Sequence, residues 1–136
     1  MRRILIDSGA IYAFVVRTDE NHPAAVRFIS TWLKKPALFV LLDLVFFEAM
    51  TLLKARTSAD VAVRTGRELR RSPAYHWAAL TTDMERETWA TFQKYEDKNW
   101  SYTDCALFVA SKQLKVPDAF SFDDDFTQMP GLRRLP

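Results

Sequence analysis

Four carboxylates stand out in this chain by what surrounds them: Asp7, Glu48, Asp104 and Asp123. Asp7 ends the apolar run Ile4-Leu5-Ile6 and is followed by Ser8-Gly9. That run reads as a buried parallel strand turning into a helix, so its acid falls at the strand's carboxyl end, where open parallel sheets bind ligands. Asp123 stands in the matching place after the apolar segment from Val116 to Phe122. Glu48 lies in a helical pattern, and its neighbours three and four positions away are Leu44, Val45, Thr51 and Leu52. An unpaired carboxylate in such surroundings is costly or is driven to protonate, so it must meet a cation, a metal or the edge of a wet cleft. Asp104 closes Ser101-Tyr102-Thr103-Asp104 at a helix start, and a helix beginning at the sheet's carboxyl edge aims it at the same crevice.

Each acid also has a purely structural explanation. Asp7 reads equally as a helix N-cap, Asp123 as a turn residue, Asp104 as half of a capping box, and Glu48 as the partner of an arginine or a group reaching solvent. Taken together, the four converge with no Lys or Arg beside them in sequence. Hard divalent cations stabilise such a cluster, and an oxygen-only ligand set selects Mg²⁺ or Mn²⁺ over zinc. Ions of that kind acidify a bound water and offset charge on a phosphodiester, so the chemistry indicated is metal-assisted phosphodiester hydrolysis without a side-chain nucleophile.

The elements that must position these acids alternate. Strands are expected at 3–6, 37–41, 75–80, within 116–122, and at 132–135. Helices are expected after Asp7, from His22 to about Leu33, at 42–54, from Thr57-Ser58 to about Arg71, at 84–95 and from Ser101 to about Leu114. This alternation predicts an α/β chain with a central, mainly parallel sheet covered by helices on both faces, a three-layer α/β/α sandwich. The 42–54 helix is apolar on nearly every side, which predicts burial in the core or against a partner subunit.

With 136 residues and no Gly-, Ser- or Pro-rich break, the chain is expected to form a single domain over 1–136. Apolar residues at 49% and charged residues at 26% exclude disordered and low-complexity classes. The lone Cys105 excludes an internal disulfide and favours a reducing, cytoplasmic setting. Asp7 interrupts the first apolar run too early for a signal peptide, and no stretch is apolar enough to span a membrane. Charge is divided: residues 1–71 hold 12 Lys and Arg against 7 Asp and Glu, whereas 72–136 hold 7 against 10. A basic half fits an anionic partner such as RNA or an acidic peptide, although two solvated faces produce the same division.

The pattern resembles the PIN-domain ribonucleases, in particular the toxin nucleases of VapBC-type toxin–antitoxin pairs. The resemblance rests on the apolar strand into Asp7-Ser8, Glu48 in an apolar helix, Ser101-Tyr102-Thr103-Asp104-Cys105, and Ser121-Phe122-Asp123-Asp124-Asp125-Phe126 followed by Gly131. It implies a PIN-like fold and an Mg²⁺- or Mn²⁺-dependent endoribonuclease with Asp7, Glu48, Asp104 and Asp123 as metal ligands. It further implies that Ser8 and Thr103 line the site, with Asp125 beside them, and its motif register selects Asp123 over the adjacent Asp124 and Asp125, which are the alternatives. Its implied partners are an RNA substrate, a cognate antitoxin protein and a second copy of the chain in a homodimer. A PIN nuclease without an antitoxin and a catalytically silent PIN module are alternatives within the same fold.

Arg64, Arg67 and Arg71 form one basic helical face that could meet RNA phosphates or an acidic antitoxin segment. Tryptophans are more often core or interface residues, and of the four only Trp100, next to the Ser101 turn, is singled out by sequence to stack on an unpaired base. His22 and His76 read as structural or surface residues. A phosphoacceptor receiver domain needs an acidic pair at the first strand and a late lysine, and a haloacid-dehalogenase-like phosphatase needs a second aspartate after Asp7; neither is present.

Overall fold

The computed structural model describes residues 1–136. Five strands, β1 (Arg2–Ile6), β2 (Ala37–Leu42), β3 (Tyr75–Ala78), β4 (Asp118–Phe120) and β5 (Arg133–Leu135), form one sheet in the order β3-β2-β1-β4-β5. Every neighbouring pair is parallel. Six helices flank the sheet: α1 (Ser8–Val15), α2 (His22–Leu33), α3 (Asp43–Arg56), α4 (Ala59–Arg71), α5 (Thr82–Lys94) and α6 (Tyr102–Gln113). A short 3₁₀ turn covers Asp124–Gln128. No helix is long and apolar enough to cross a membrane.

Local sequence accounts for most of these boundaries. Ile4, Leu5 and Ile6 of β1 are all buried, the continuous apolar run of a strand covered on both faces. Ser58 Oγ accepts from Val61 N at the start of α4, and Thr81 Oγ1 accepts from Met84 N at the start of α5, so both hydroxyls satisfy otherwise orphaned donors. Strand β3 stops at Ala78 rather than Leu80, because Leu80 N donates to Asp43 Oδ2 and the chain leaves the sheet there. Leu42 remains in β2, aligned with Ala78, and α3 begins one residue later than its apolar pattern predicted.

An aromatic seam ties α2 to the sheet. Phe28 stacks on Phe120 with ring centroids 4.2 Å apart, and Phe39 stacks on Tyr75 at 5.6 Å. In α6 the eight residues Asp104–Ser111 are all buried, so this helix is enclosed on every side. Trp100 takes the core position that is the commoner one for a tryptophan, not the base-stacking role it was singled out for. It is 5% exposed and packs against Tyr95 and Phe108, and its large ring contributes more to stability in the core than it would on a surface. His22 contacts the Ala13 carbonyl oxygen through Nδ1 at 2.8 Å and joins α2 to α1, while His76 is exposed on β3.

Strand order decides where a site can form. The chain runs outward from β1 through β2 to β3, then returns to the other side of β1 for β4 and β5. Strands β1 and β4 therefore meet where the winding reverses, the point at which loops beyond the carboxyl ends separate and leave a crevice.

Candidate active site

Asp7 and Asp123 emerge from the two strands at this switch point. Asp7 N donates to Phe120 O at 3.0 Å, extending the link between β1 and β4 by one residue. Its carboxylate caps α1 through Oδ1, which accepts from Ser8 N at 2.8 Å, and its Oδ2 accepts from Ser121 Oγ at 3.0 Å. Ser121 Oγ in turn accepts from Asp123 N at 3.0 Å, so one hydroxyl orients acids from both strands. Sequence reasoning passed over Ser121; its signal was a hydroxyl two residues before Asp123, the spacing of a side chain that folds back on its own turn.

Glu48 is half-buried on α3 and accepts from Ser8 Oγ through Oε1 at 2.6 Å, a short charge-assisted bond. Asp104 completes the expected capping box: Ser101 Oγ accepts from Asp104 N at 3.0 Å, and Asp104 Oδ2 accepts from Ser101 N at 2.9 Å. Capping therefore coexists with a place in the cleft. Asp123 Oδ1 accepts from Asp125 N at 2.9 Å, and this turn brings Asp125 to the same side. Carboxylate oxygens of Asp104, Asp123 and Asp125 lie within 4.8 Å of one another. Asp124 is turned away, 92% exposed and 3.6 Å from Arg134.

These side chains line a cleft of about 470 Å³ whose walls also include Tyr12, Asp19, Asn21, Leu52, Arg56 and Asn99. Ser8 lines it and Thr103 does not. Neighbouring helical residues are separated by about 100° of rotation, so an acid aimed into the cleft leaves the residue before it facing elsewhere. Arg64, Arg67 and Arg71 also lie outside this cleft. Arg64 is paired with Asp60 at 3.0 Å and borders a separate apolar cavity of about 240 Å³ lined by Ile11, Phe14, Val15, Ile29 and Leu69. Arg56 was not anticipated, because eight residues separate it from Glu48 and only helical periodicity joins them.

Electrostatics mark the buried acids as unpartnered. Burial, followed by the charge of Asp104, pushes Asp7 up to about 7 despite hydrogen bonds from Ser121 and Ser8. Burial likewise raises Asp104 to about 6, against the lowering effect of its Ser101 hydrogen bonds and with the charge of Asp123 adding to the rise. Burial and the neighbouring Asp123 also raise Asp125. None of these acids belongs to any of the chain's six ion pairs. Crowded carboxylates with no ion-pair partner and only oxygen donors suit a hard divalent ion.

A PIN-domain family model matches residues 4–132. The chain belongs to the PIN domain family. PIN domains are a nuclease family that hydrolyses RNA. Among similar proteins is the 23S rRNA-specific endonuclease VapC20 of Mycobacterium tuberculosis, 26% identical over 124 residues, which are 91% of this chain and 92% of the relative. The crystal structure of that sarcin–ricin-loop-cleaving toxin superposes with a TM-score of 0.84 at 24% identity, covering 93% of this chain and 95% of the other. A toxin–antitoxin complex from Klebsiella pneumoniae gives 0.69 at 17% identity, covering 96% and 95%. At these identities the two superpositions establish the shared fold, an α/β sandwich.

Proposed function

We propose that this PIN domain is a divalent-metal-dependent endoribonuclease acting as the toxin of a VapBC-type toxin–antitoxin pair, with Asp7, Glu48, Asp104 and Asp123 as its ligand-bearing acids. The observation that carries this reading is the convergence of carboxylates, none of them in an ion pair and two of them (Asp7 and Asp104) buried, at the β1/β4 switch point. Mg²⁺ or Mn²⁺ bound there supplies Lewis acidity toward a water and a phosphoryl oxygen.

The chain's own residues supply the geometry. Asp104, Asp123 and Asp125 offer three oxygens close enough to share one cation. Asp7, with a hydrogen bond to each of its oxygens, presents a fixed carboxylate that needs no rearrangement on loading. Ser8 holds Glu48 across the cleft so that it does not swing to solvent. Preorganisation of this kind is what an in-line displacement needs from the protein.

The partners follow from the same reading. RNA is the substrate, and the names of similar proteins, a 23S rRNA endonuclease and a toxin–antitoxin complex, support that substrate class and an antitoxin. The apolar cavity between α1, α2 and α4, with Arg64 at its border, offers an antitoxin a place for an apolar side chain next to a cation. A homodimer accounts for the exposure of Trp89 and Phe92 on α5, and the single buried, unpaired Cys105 fits a cytoplasmic setting.

The test is cleavage of total RNA by partner-free protein with Mg²⁺, with Mn²⁺ and with EDTA, beside Asp7→Asn and Asp104→Asn. Metal-dependent cutting that disappears in both variants is expected. Intact RNA under every metal condition, from protein shown to be folded, overturns the nuclease reading.

A further inference from the structure

The acidic cleft contains one cation, and that cation has no internal partner. Six carboxylates line the cleft, yet Arg56 is the only basic residue among the lining residues, and it forms none of the chain's ion pairs. A long, charged side chain beside so many acids would ordinarily fold onto one of them. Here the guanidinium instead lies over the ring of Tyr12, 5.5 Å from its centroid. Tyr12 is four residues after Ser8 on α1, and Arg56 is eight residues after Glu48 on α3, with Leu52 between them. All five residues line the cleft, so two facing helical stripes lead from the carboxylates to the cation. With a rise of about 1.5 Å per residue, the Cα atoms of Glu48 and Arg56 are roughly 12 Å apart. Across that separation no ion pair joins Arg56 to Glu48, and the guanidinium rests on the Tyr12 side of the cleft.

Resting on the nuclease reading above, we infer that Arg56, held over Tyr12, binds a backbone phosphate of the RNA strand that flanks the phosphodiester lying at the carboxylates. Arginine suits this task because its planar fork donates two parallel hydrogen bonds to phosphate oxygens, and its stacking on tyrosine restricts the rotamers it must otherwise give up. The placement also addresses an electrostatic difficulty. A polyanion approaching six carboxylates is repelled until the metal is loaded, and a cation at the far end of the cleft gives the strand an attractive contact that fixes its register without neutralising the metal ligands. Arg56 is thus a positioning residue: it makes the same contact in the ground state and the transition state, and it acts on binding rather than on the chemical step.

The test compares wild type, Arg56→Gln, Arg56→Lys, Tyr12→Phe and Tyr12→Ala in steady-state cleavage, using an RNA fragment that the wild-type protein cuts, over a range of salt concentrations. Arg56→Gln is expected to raise KM roughly three- to tenfold with kcat held within about twofold, the signature of lost uniform binding. Its log KM should respond less steeply to log salt by about 0.7, the share of one phosphate on single-stranded RNA. Arg56→Lys should recover most of the KM change and the full salt slope, Tyr12→Phe should match wild type, and Tyr12→Ala should fall between wild type and Arg56→Gln. Melting temperatures identify any variant that acts through the fold instead. A wild-type KM and salt slope in Arg56→Gln overturns the inference alone, leaving nuclease activity in place. Absence of cutting by wild-type protein overturns both.

Discussion

Asp7 and Asp118 are buried aspartates on the two adjacent central strands, and they occupy opposite edges of the sheet. Asp118 opens β4 at the amino edge, where its Oδ2 accepts from Arg2 at 2.8 and 3.0 Å and its Oδ1 accepts from Arg133 at 2.7 Å. Burial pushes its carboxyl up, but the hydrogen bonds and charges of the two arginines outweigh burial and hold it below the usual carboxylate range. Asp7 follows β1 at the carboxyl edge, has only neutral donors, and is raised to about 7. Burial alone therefore does not separate a structural acid from a functional one. A buried acid matched by its own cations holds the N- and C-terminal strands to the sheet; a buried acid left unmatched is held ready for a cation from outside.

The contrast breaks most sharply at Asp7. Asp7→Asn is expected to lower metal-dependent RNA cleavage by about two orders of magnitude or more, because it removes a charged ligand rather than a supporting group. The same substitution should stabilise the metal-free protein at pH 8, by on the order of 4 kcal/mol. The sign follows from proton binding: between about pH 4 and pH 7 the unfolded chain releases a proton that folded Asp7 keeps, so metal-free wild type loses stability as pH rises through that window. Urea midpoints measured across the window should slope downward for wild type and less steeply for Asp7→Asn, in which Asp104, also raised, still contributes. Equal slopes would mean that Asp7 is already matched by some group within the fold.

At the other edge the direction reverses. Asp118→Asn should cost about 1–3 kcal/mol at neutral pH with cleavage unchanged, since it weakens charge-assisted hydrogen bonds far from the cleft. Because folded Asp118 is held low, its contribution is present above the usual carboxylate range and is lost as pH falls through its depressed value. The gap between wild type and variant should therefore close in acid, which denaturant titration at several pH values would reveal. A smaller effect is expected at Ser8. Ser8→Ala frees Glu48 from its 2.6 Å bond and should raise the Mg²⁺ concentration for half-maximal cleavage about tenfold. Smallest of all, Thr103→Ala should leave cleavage within about twofold of wild type, as its side chain does not line the cleft.

Much of this was legible in the chain because it depends on local physics. Apolar periodicity marks a strand or helix within a few residues, and an acid or hydroxyl at the seam marks its cap. Asp7 after Ile4-Leu5-Ile6 and the Ser101–Asp104 capping box were readable on that basis, and both appear as expected. Misreadings arose where a side chain's direction depends on distant neighbours. Thr103, expected to line the site, is not part of the cleft wall; Trp100, singled out as the tryptophan best placed to stack on a base, fills the core instead. Among the three consecutive acids the motif register selects Asp123, and in the structure both Asp123 and Asp125 line the cleft while Asp124 faces Arg134.

The sequence by itself determined the alternation of strands and helices, the acids at their ends, and the absence of any cation beside those acids along the chain. Only tertiary structure decided that β1 and β4 are neighbours, that Ser121 links Asp7 to Asp123, that Ser8 reaches Glu48, and that Arg56 shares their cleft. The reason is one of range. Capping and periodicity act over three or four residues, whereas strand order is set by how the whole apolar surface is buried, and that surface brings together residues as far apart as 7 and 121.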